Sequence, residues 1–413
     1  MQIKSFLLPL VAALIAEAAT TSKDPCSFSK TSITDPTGIA EINQCAKLDG
    51  SITISGNTIG AIDLGGVQQL AGNLSILNTP SVVSLNLNQL QNITGALVIN
   101  NATQLNSIDL TSLANAEEIQ LVSLPSFAIL NLNRGVDTAG KIILSDTALT
   151  NLNGLSSFKT ISTINLNNNK NITEITFENL ETVQDSMILS FNNDEASVKL
   201  DSLLWAANLT IQDVQDFSAA NLTAVNGSLG ISYNTFDKLE LPELTNVGSS
   251  IQIFGHDELE QVSMPKLTVI GGEIQLFNNT QLEEIEFNNL TTIKGALTIT
   301  GGFSNLTMDK LNLVAGDFTA NSTNDEFDCS AFDELHDKGK IQGHNYECTH
   351  PPKPSSSTSS GSKSTSKSTS SSSKSSDSSS DSTSSSSKKS DGNGLIVPGM
   401  ILTSILGGVL ALI

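Results

Sequence analysis

Between Ser228 and Gly295 the apolar positions recur in columns. Three consecutive stretches, SLGISYNTFDKLELPELTNVG, SIQIFGHDELEQVSMPKLTVIGG and EIQLFNNTQLEEIEFNNLTTIKG, can be written under one another. Leu229, Ile251 and Ile274 then fall together, as do Ile231, Ile253 and Leu276. Further on, Leu239, Val262 and Ile285 align, followed by Leu241, Met264 and Phe287. Pro242, Pro265 and Asn288 succeed one another at 23 residues. A fixed period in this range marks a solenoid, in which each unit is too thin to bury its own apolar face and stacking supplies the core.

The same pattern extends in both directions at intervals of roughly 20 to 24 residues, the range of leucine-rich-type repeats. Leading strands are expected at SITIS from Ser51, NLSIL from Asn73, ALVIN from Ala96, EIQLV from Glu118 and KIILS from Lys141. TINLN from Thr163, SMILS from Ser186 and NLTIQ from Asn208 continue the series, and ALTIT from Ala296 is its last clear member. Each alternates with period two, so one side faces the interior and the other faces out. A second short strand per coil is expected at SLNLN from Ser84, SIDLT from Ser107, TEITF from Thr173 and KLELP from Lys238. No coil has room for a convex helix. The fold class is therefore an all-β solenoid, a right-handed parallel β-helix of leucine-rich-repeat-like coils with short helical, disulfide-closed caps.

Two positions past the second inward residue of each leading strand runs a turn column: Gly56, Asn78, Asn101, Ser123, Asp146, Asn168, Asp213, Gly255, Asn278 and Gly301. Small and amide side chains suit corners that need left-handed backbone and local hydrogen bonds. A ladder of stacked asparagines is expected along this column, interrupted at Phe191 and Tyr233. At the N-terminal end, Asp35-Pro36 reads as a helix cap followed by proline at the first helical position, with Ile39 and Ile42 on one face. At the other end, Ser330 is the expected helix cap, with Asp333 three residues on and Gly339 as the stop.

Composition adds the compartment. The net charge of −21 argues against nucleic acid and against a polybasic hold on anionic lipid. Lys4, the apolar run from Phe6 to Ile15 and Ala16-Glu17-Ala18 form a cleavable secretory signal over residues 1–18. Four cysteines in an exported chain invite pairing, and Cys26/Cys45 and Cys329/Cys348 are each 19 apart. Two local loops, one at each end, are more economical than pairs reaching along a solenoid. Zinc is disfavoured, because there is no C-x-x-C and His336, His344 and His350 lack finger spacing. The expected organisation is an N-terminal cap over 19–49, the repeat solenoid over 50–316 and a C-terminal cap over 317–350.

Residues 351–391 are expected to be a disordered, O-glycosylated stalk, since from Ser355 to Ser390 the chain is nearly all Ser and Thr with scattered Lys and Asp. Residues 392–413 then form small residues followed by an apolar tail, the pattern of a GPI signal, with attachment at Gly392 and Asn393 or Ser390 as alternatives. A membrane span at Leu395 to Ile413 is the competing reading, weakened by Pro398, Gly399, Gly407 and Gly408. N-glycosylation sequons stand at Asn73, Asn92, Asn101, Asn171, Asn208, Asn221, Asn226, Asn278, Asn289, Asn305 and Asn321. Asn73 and Asn208 open equivalent strands, which points to one decorated edge.

Candidate chemistry is sparse. Asp237, Glu260 and Glu283 form an acidic column with Glu240 and Glu286 nearby; a solvated outer face is a simpler reading than calcium. His256 neighbours Asp257 without an implied nucleophile. Trp205, Phe254, Phe277 and Phe287 read as packing residues, with a sugar-stacking platform as the alternative. Polysaccharide lyases need cationic groups, and Arg134 is the only arginine; a hydrolase would need a carboxylate pair at defined separation, and no motif supplies one.

SLLWAANLTIQDV at Ser202 to Val214, GKIQGHNYEC at Gly339 to Cys348, LSDTALTNLNGLSSFKT from Leu144 and the coil from Asp257 carry a resemblance over nearly the full length. The chain resembles the SPS/ECM family of fungal GPI-anchored cell-wall proteins, whose ectodomain is similar to receptor L-domains. The resemblance implies a non-enzymatic glycoprotein of wall organisation, in some members of the spore wall, with no cofactor or catalytic residue. Its implied partners are wall β-glucan, other wall polymers or wall-building proteins, and the outer leaflet of the plasma membrane. Lys388-Lys389 resembles the dibasic signal associated with membrane retention. A polysaccharide-acting β-helix enzyme and a receptor-like ligand-binding ectodomain remain the alternatives.

Overall fold

A computed structural model describes residues 24–352; the signal segment, the Ser/Thr-rich segment beyond residue 352 and the GPI segment lie outside them. Within these bounds the chain is a parallel β solenoid. One coil runs through a main strand, Ile251–Phe254, a corner, and a second strand, Gln261–Ser263. A further corner leads to a two-residue third strand, Val269–Ile270, and then to the next main strand, Ile274–Phe277. Main and third strands join into one sheet of 22 strands. Second strands build three smaller sheets, of four, three and four strands.

Register is kept by the alternation that the sequence displays. Leu229 pairs with Ile251 and Ile251 with Ile274, so each inward side chain stacks on its equivalent one coil away. These inward columns are fully buried, as are Leu239, Val262 and Ile285 of the second strands. Burial of one such aliphatic side chain contributes roughly 1.5–3 kcal/mol. The coil containing Leu149 and Leu152 has no second strand, and there the small sheets break, leaving Ile129–Asn131 unpaired on one side.

The large sheet extends beyond the strand at Ala296, the last clear member of the periodic series. Phe318–Ser322 pairs in parallel with Leu297–Gly301, and Tyr346–Thr349 pairs with Phe318–Ser322. At the other end Ser27–Ile33 adds a rung ahead of the strand holding Ile52 and Ile54. Each cap therefore supplies a strand as well as a helix.

The N-terminal helix, Pro36–Ile42, starts as its sequence prescribes. Asp35 accepts hydrogen bonds from the N–H groups of Thr37 and Gly38 at 2.9 and 3.2 Å, and Ile39 and Ile42 are buried. The C-terminal helix, Ser330–Asp337, corrects the expected cap: the capping position is Cys329, not Ser330. The Asp328 carboxylate accepts from the Ser330 N–H at 3.1 Å and from its hydroxyl at 2.7 Å, so Ser330 donates rather than caps. Asp333 is engaged instead by the Tyr346 hydroxyl at 2.6 Å. Gly339 ends this helix at φ +66°, its N–H bonding His336 and the next N–H, of Lys340, reaching back to Leu335. Disulfides Cys26–Cys45 and Cys329–Cys348 close the two caps, as their spacing predicts.

Candidate functional site

The corner after the main strand is where the structure departs most from expectation. The expected column keeps left-handed backbone as far as Asn278, with φ between +53° and +57° at Asn78, Asn101, Asn168, Phe191, Tyr233 and Asn278, whereas Gly301 continues the strand Leu297–Gly301. Phe191 and Tyr233 therefore do not break the corner; they occupy it in a conformation strained for bulky residues, at a cost of order 1–3 kcal/mol each. Side-chain bonds along this column are few, Asn101 to Asn78 at 2.9 Å and Asn168 to Asp146.

The true asparagine ladder lies one residue later and points inward. Asn169, Asn192, Asn234 and Asn279 are buried. Asn234 Nδ2 donates to the Ile211 carbonyl at 3.2 Å while its Oδ1 accepts the Val214 N–H at 3.0 Å. Asn279 repeats this with the Ile253 carbonyl at 3.1 Å and the His256 N–H at 3.2 Å. Such bonds satisfy backbone groups that the corner would otherwise bury unpaired. His256 holds the intervening place in the ladder, fully buried, while Asp257 is exposed, so the two form no catalytic pair.

With register known, the outer faces differ sharply. On the large sheet the outward column between the two inward ones runs Thr53, Ser75, Val98, Gln120 and Ile143. Asn165, Ile188, Thr210 and Gly230 continue it. Gln252, Gln275, Thr298 and Thr319 complete it. Every one is half-buried and none is charged. The next outward column, from Ser55 through Leu77, Asn100, Val122, Ser145 and Asn167 to Phe254, Phe277 and Thr300, also carries no charge. At roughly 4.8 Å per rung these columns extend for about 60 Å. Glu347 of the last cap rung is the charge that ends the first column.

Charge lies beside these columns, where Lys141 pairs with Glu118 at 3.3 Å on neighbouring rungs of the same sheet, and on the second strands. Glu174 and Lys199, Lys238 and Glu240, and Glu284 and Glu286 flank buried residues there. Asp237, Glu260 and Glu283 stack through backbone bonds of 2.7 and 2.9 Å and are exposed. Ion pairs such as Lys266–Glu243 at 2.7 Å and Lys159–Glu181 at 2.8 Å cross between coils. The Glu181 carboxylate raises the Lys159 pKa by hydrogen bonding and by its charge. Exposed pairs of this kind are screened by solvent and contribute little to stability.

Aromatic side chains divide between core and surface. Phe287 is fully buried, as a packing residue should be, and Trp205 is half-buried. Phe277 is 37% exposed and Tyr233 52%. Phe254 stacks on Phe277 at 5.0 Å with 2° between planes, and Tyr233 meets Phe254 edge-on at 5.4 Å. These three rings border the uncharged columns. Sequence reasoning treated the phenylalanines alike, and exposure separates them.

None of the eleven sequon asparagines is buried; Asn92, Asn289 and Asn321 are half-buried and the others exposed. Asn73 and Asn208 share a column at one margin of the large sheet, and Asn101 and Asn278 share the corner column. Asn221, Asn289 and Asn305 lie on the opposite parts of the coil, so the sequons are not confined to one edge. The central outward column of the large sheet holds none of them. Gly392, Asn393 and Ser390 lie outside the described residues. Among the described residues no helix is long and apolar enough to cross a membrane.

No family model matches the chain. Individual relatives do. It is 68% identical over the whole length of both chains to the cell surface GPI-anchored protein ECM33 of Candida albicans. It is 33% identical to the cell wall protein ecm33 of Schizosaccharomyces pombe, over 87% of this chain and 84% of that one. It is 29% identical to sporulation-specific protein 2 of Saccharomyces cerevisiae, over 74% of this chain and 61% of that one. The relatives are named as surface, wall or sporulation proteins and not as enzymes. With this identity along its full length, the chain belongs to the ECM33/SPS family of fungal GPI-anchored cell-wall proteins.

Proposed function

We propose that this chain is a non-enzymatic surface glycoprotein that organises the fungal cell wall by holding wall polymers, β-glucan among them, against the outer face of its large sheet. The observation that carries this reading is the uncharged double column along about 60 Å of solenoid, in a chain whose net charge is −21. A neutral polysaccharide offers hydroxyls and ring faces but no charge, so an uncharged surface covers it without the cost of desolvating carboxylates. Anchoring at Gly392, with Asn393 or Ser390 as alternatives, would hold this face at the outer leaflet or in the wall, and glycans on the sequons would surround it.

The reading is tested with full-length protein in neutral detergent, incubated with insoluble β-glucan and chitin. Retention in the pellet without new reducing ends is expected. Gln120→Glu together with Thr210→Glu should reduce retention by about tenfold, since each carboxylate would be desolvated under the polymer. New reducing ends would overturn the non-enzymatic reading, and absence of retention would turn the search to wall-building proteins. For the anchor, deletion of residues 395–413 should release the protein into the medium; a cell-bound product would refute it.

A further inference from the structure

We propose that Tyr233, Phe254 and Phe277 form a saccharide-stacking strip that takes a neutral β-linked glucan chain, an assignment that rests on the preceding reading of the face and gives it a specific site. The three residues lie on consecutive rungs, at the corner margin of the uncharged columns. Most large aromatic side chains go inward: Phe127, Phe158, Phe287, Phe303 and Phe318 are fully buried, and Phe191, at 47%, is an exposed ring outside the strip. Exposure of Tyr233 at 52% and Phe277 at 37% is therefore a departure from the rule of this chain.

Strain gives a second, independent reason. Tyr233 sits at φ +55° in a column otherwise filled by Gly, Asn, Asp and Ser, with Phe191 as the other exception. Asparagine adopts this backbone more readily, and the ring contact that Tyr233 gains in exchange is its edge on Phe254. The following corner residue is Gly255, where a Cβ would come within 2.7 Å of the Tyr233 ring, so the neighbouring coil leaves space for that ring to lie down. A bulky residue kept in an unfavourable backbone, exposed, and accommodated by its neighbour is the mark of a site selected for contact rather than packing.

The ligand class follows from the chemistry of the strip. Aromatic ring faces carry negative electrostatic potential and attract polarised C–H groups. A β-linked glucose ring keeps its hydroxyls equatorial and shows bare C–H on both faces. An α-linked mannose ring puts its 2-hydroxyl axial and obstructs one of them. Beside the rings, Gln252 and Gln275 present amides, joined to each other only by a 3.5 Å contact, that suit equatorial hydroxyls. The lack of charge in both columns disfavours acidic polysaccharides and charged peptides alike.

The test uses the full-length chain in neutral detergent, its N-glycans trimmed so that a glycan on Asn278 does not cover the strip. Calorimetry with a soluble linear β-1,3-glucan oligosaccharide should give binding that Tyr233→Asn and Phe277→Thr each weaken by about tenfold. Tyr233→Asn should melt at the same temperature as the parent or higher, which a packing role for Tyr233 would not allow. Affinity within about twofold of the parent in both variants would overturn the proposal. So would equal binding of mannan oligosaccharides, or a self-association in sedimentation that the variants abolish. If the strip variants bind normally while Gln120→Glu with Thr210→Glu loses retention on insoluble glucan, the strip falls and the face stands.

Discussion

At the scale of one residue, His256 shows how the solenoid treats a titratable group. Its Nδ1 accepts the Asn234 N–H at 3.1 Å and its Nε2–H donates to the Ile231 carbonyl at 3.2 Å. Asn234 makes the same pair of bonds one rung earlier through Oδ1 and Nδ2. The imidazole is thus an asparagine substitute, with its tautomer set by the ladder. Burial holds its pKa below the ordinary value of 6.5. Protonation would remove the acceptor for Asn234 and place a charge in the core, so the folded chain takes up this proton at lower pH than the unfolded chain. Between the folded pKa and about 6.5 the unfolded state holds more protons, and stability rises with pH. The contribution is complete above that window and lost as pH falls through it. His256→Asn should keep both bonds and flatten the dependence of melting temperature on pH below about 6.5. His256→Ala should destabilise by about 1–3 kcal/mol for each backbone group left unpaired. An unchanged pH slope in His256→Asn would refute this role.

At the scale of the element, the third corner of the coil sets how closely rungs approach. Gly271 donates its N–H to Val247 at 2.8 Å, and a Cβ there would fall inside the contact distance of the Gly248 carbonyl. Gly271→Ala forces two rungs apart, and should lower stability by about 1–3 kcal/mol in denaturant titration. Gly230 is the control: a Cβ would meet nothing nearer than 3.7 Å, and Gly230→Ala should be neutral or stabilising by about 0.5–1 kcal/mol. Equal effects at the two sites would show that rung spacing is not limiting. The inward columns, the Asp35 cap and the Gly339 stop were legible because each depends on local pattern. The inward ladder was not. Asn168 and Asn169, or Asn278 and Asn279, are adjacent amides, and the left-handed corner resets the alternation that tells inward from outward. The uncharged face was hidden for a related reason: charges are spread along the sequence, and only register gathers Gln252 with Gln275 and parts them from Lys238 and Glu240.

At the scale of the molecule, a solenoid distributes stability by neighbours, so its ends and its middle answer separately to damage. The C-terminal end is held by Cys329–Cys348 and by Asp317, whose carboxylate accepts the His344 and Asn345 N–H groups at 2.8 and 3.2 Å. Those bonds, led by the Asn345 side chain, keep the Asp317 pKa below its ordinary value, so this clamp weakens as pH falls through the folded pKa. Replacing Cys329 and Cys348 by alanine opens a loop whose closure is worth about 3 kcal/mol to the end of the sheet. Amide exchange should quicken at the rungs of Thr319 and Glu347, while Ile143 and Asn165, far along the same sheet, keep their protection. The aromatic strip ends at Phe277, and the rung of Thr298 separates it from the opened rungs of the cap. Glucan affinity should therefore survive the loss of the disulfide. Exchange that quickens uniformly along the chain would mean that the coils unfold as one unit, and that the caps support the binding face from a distance.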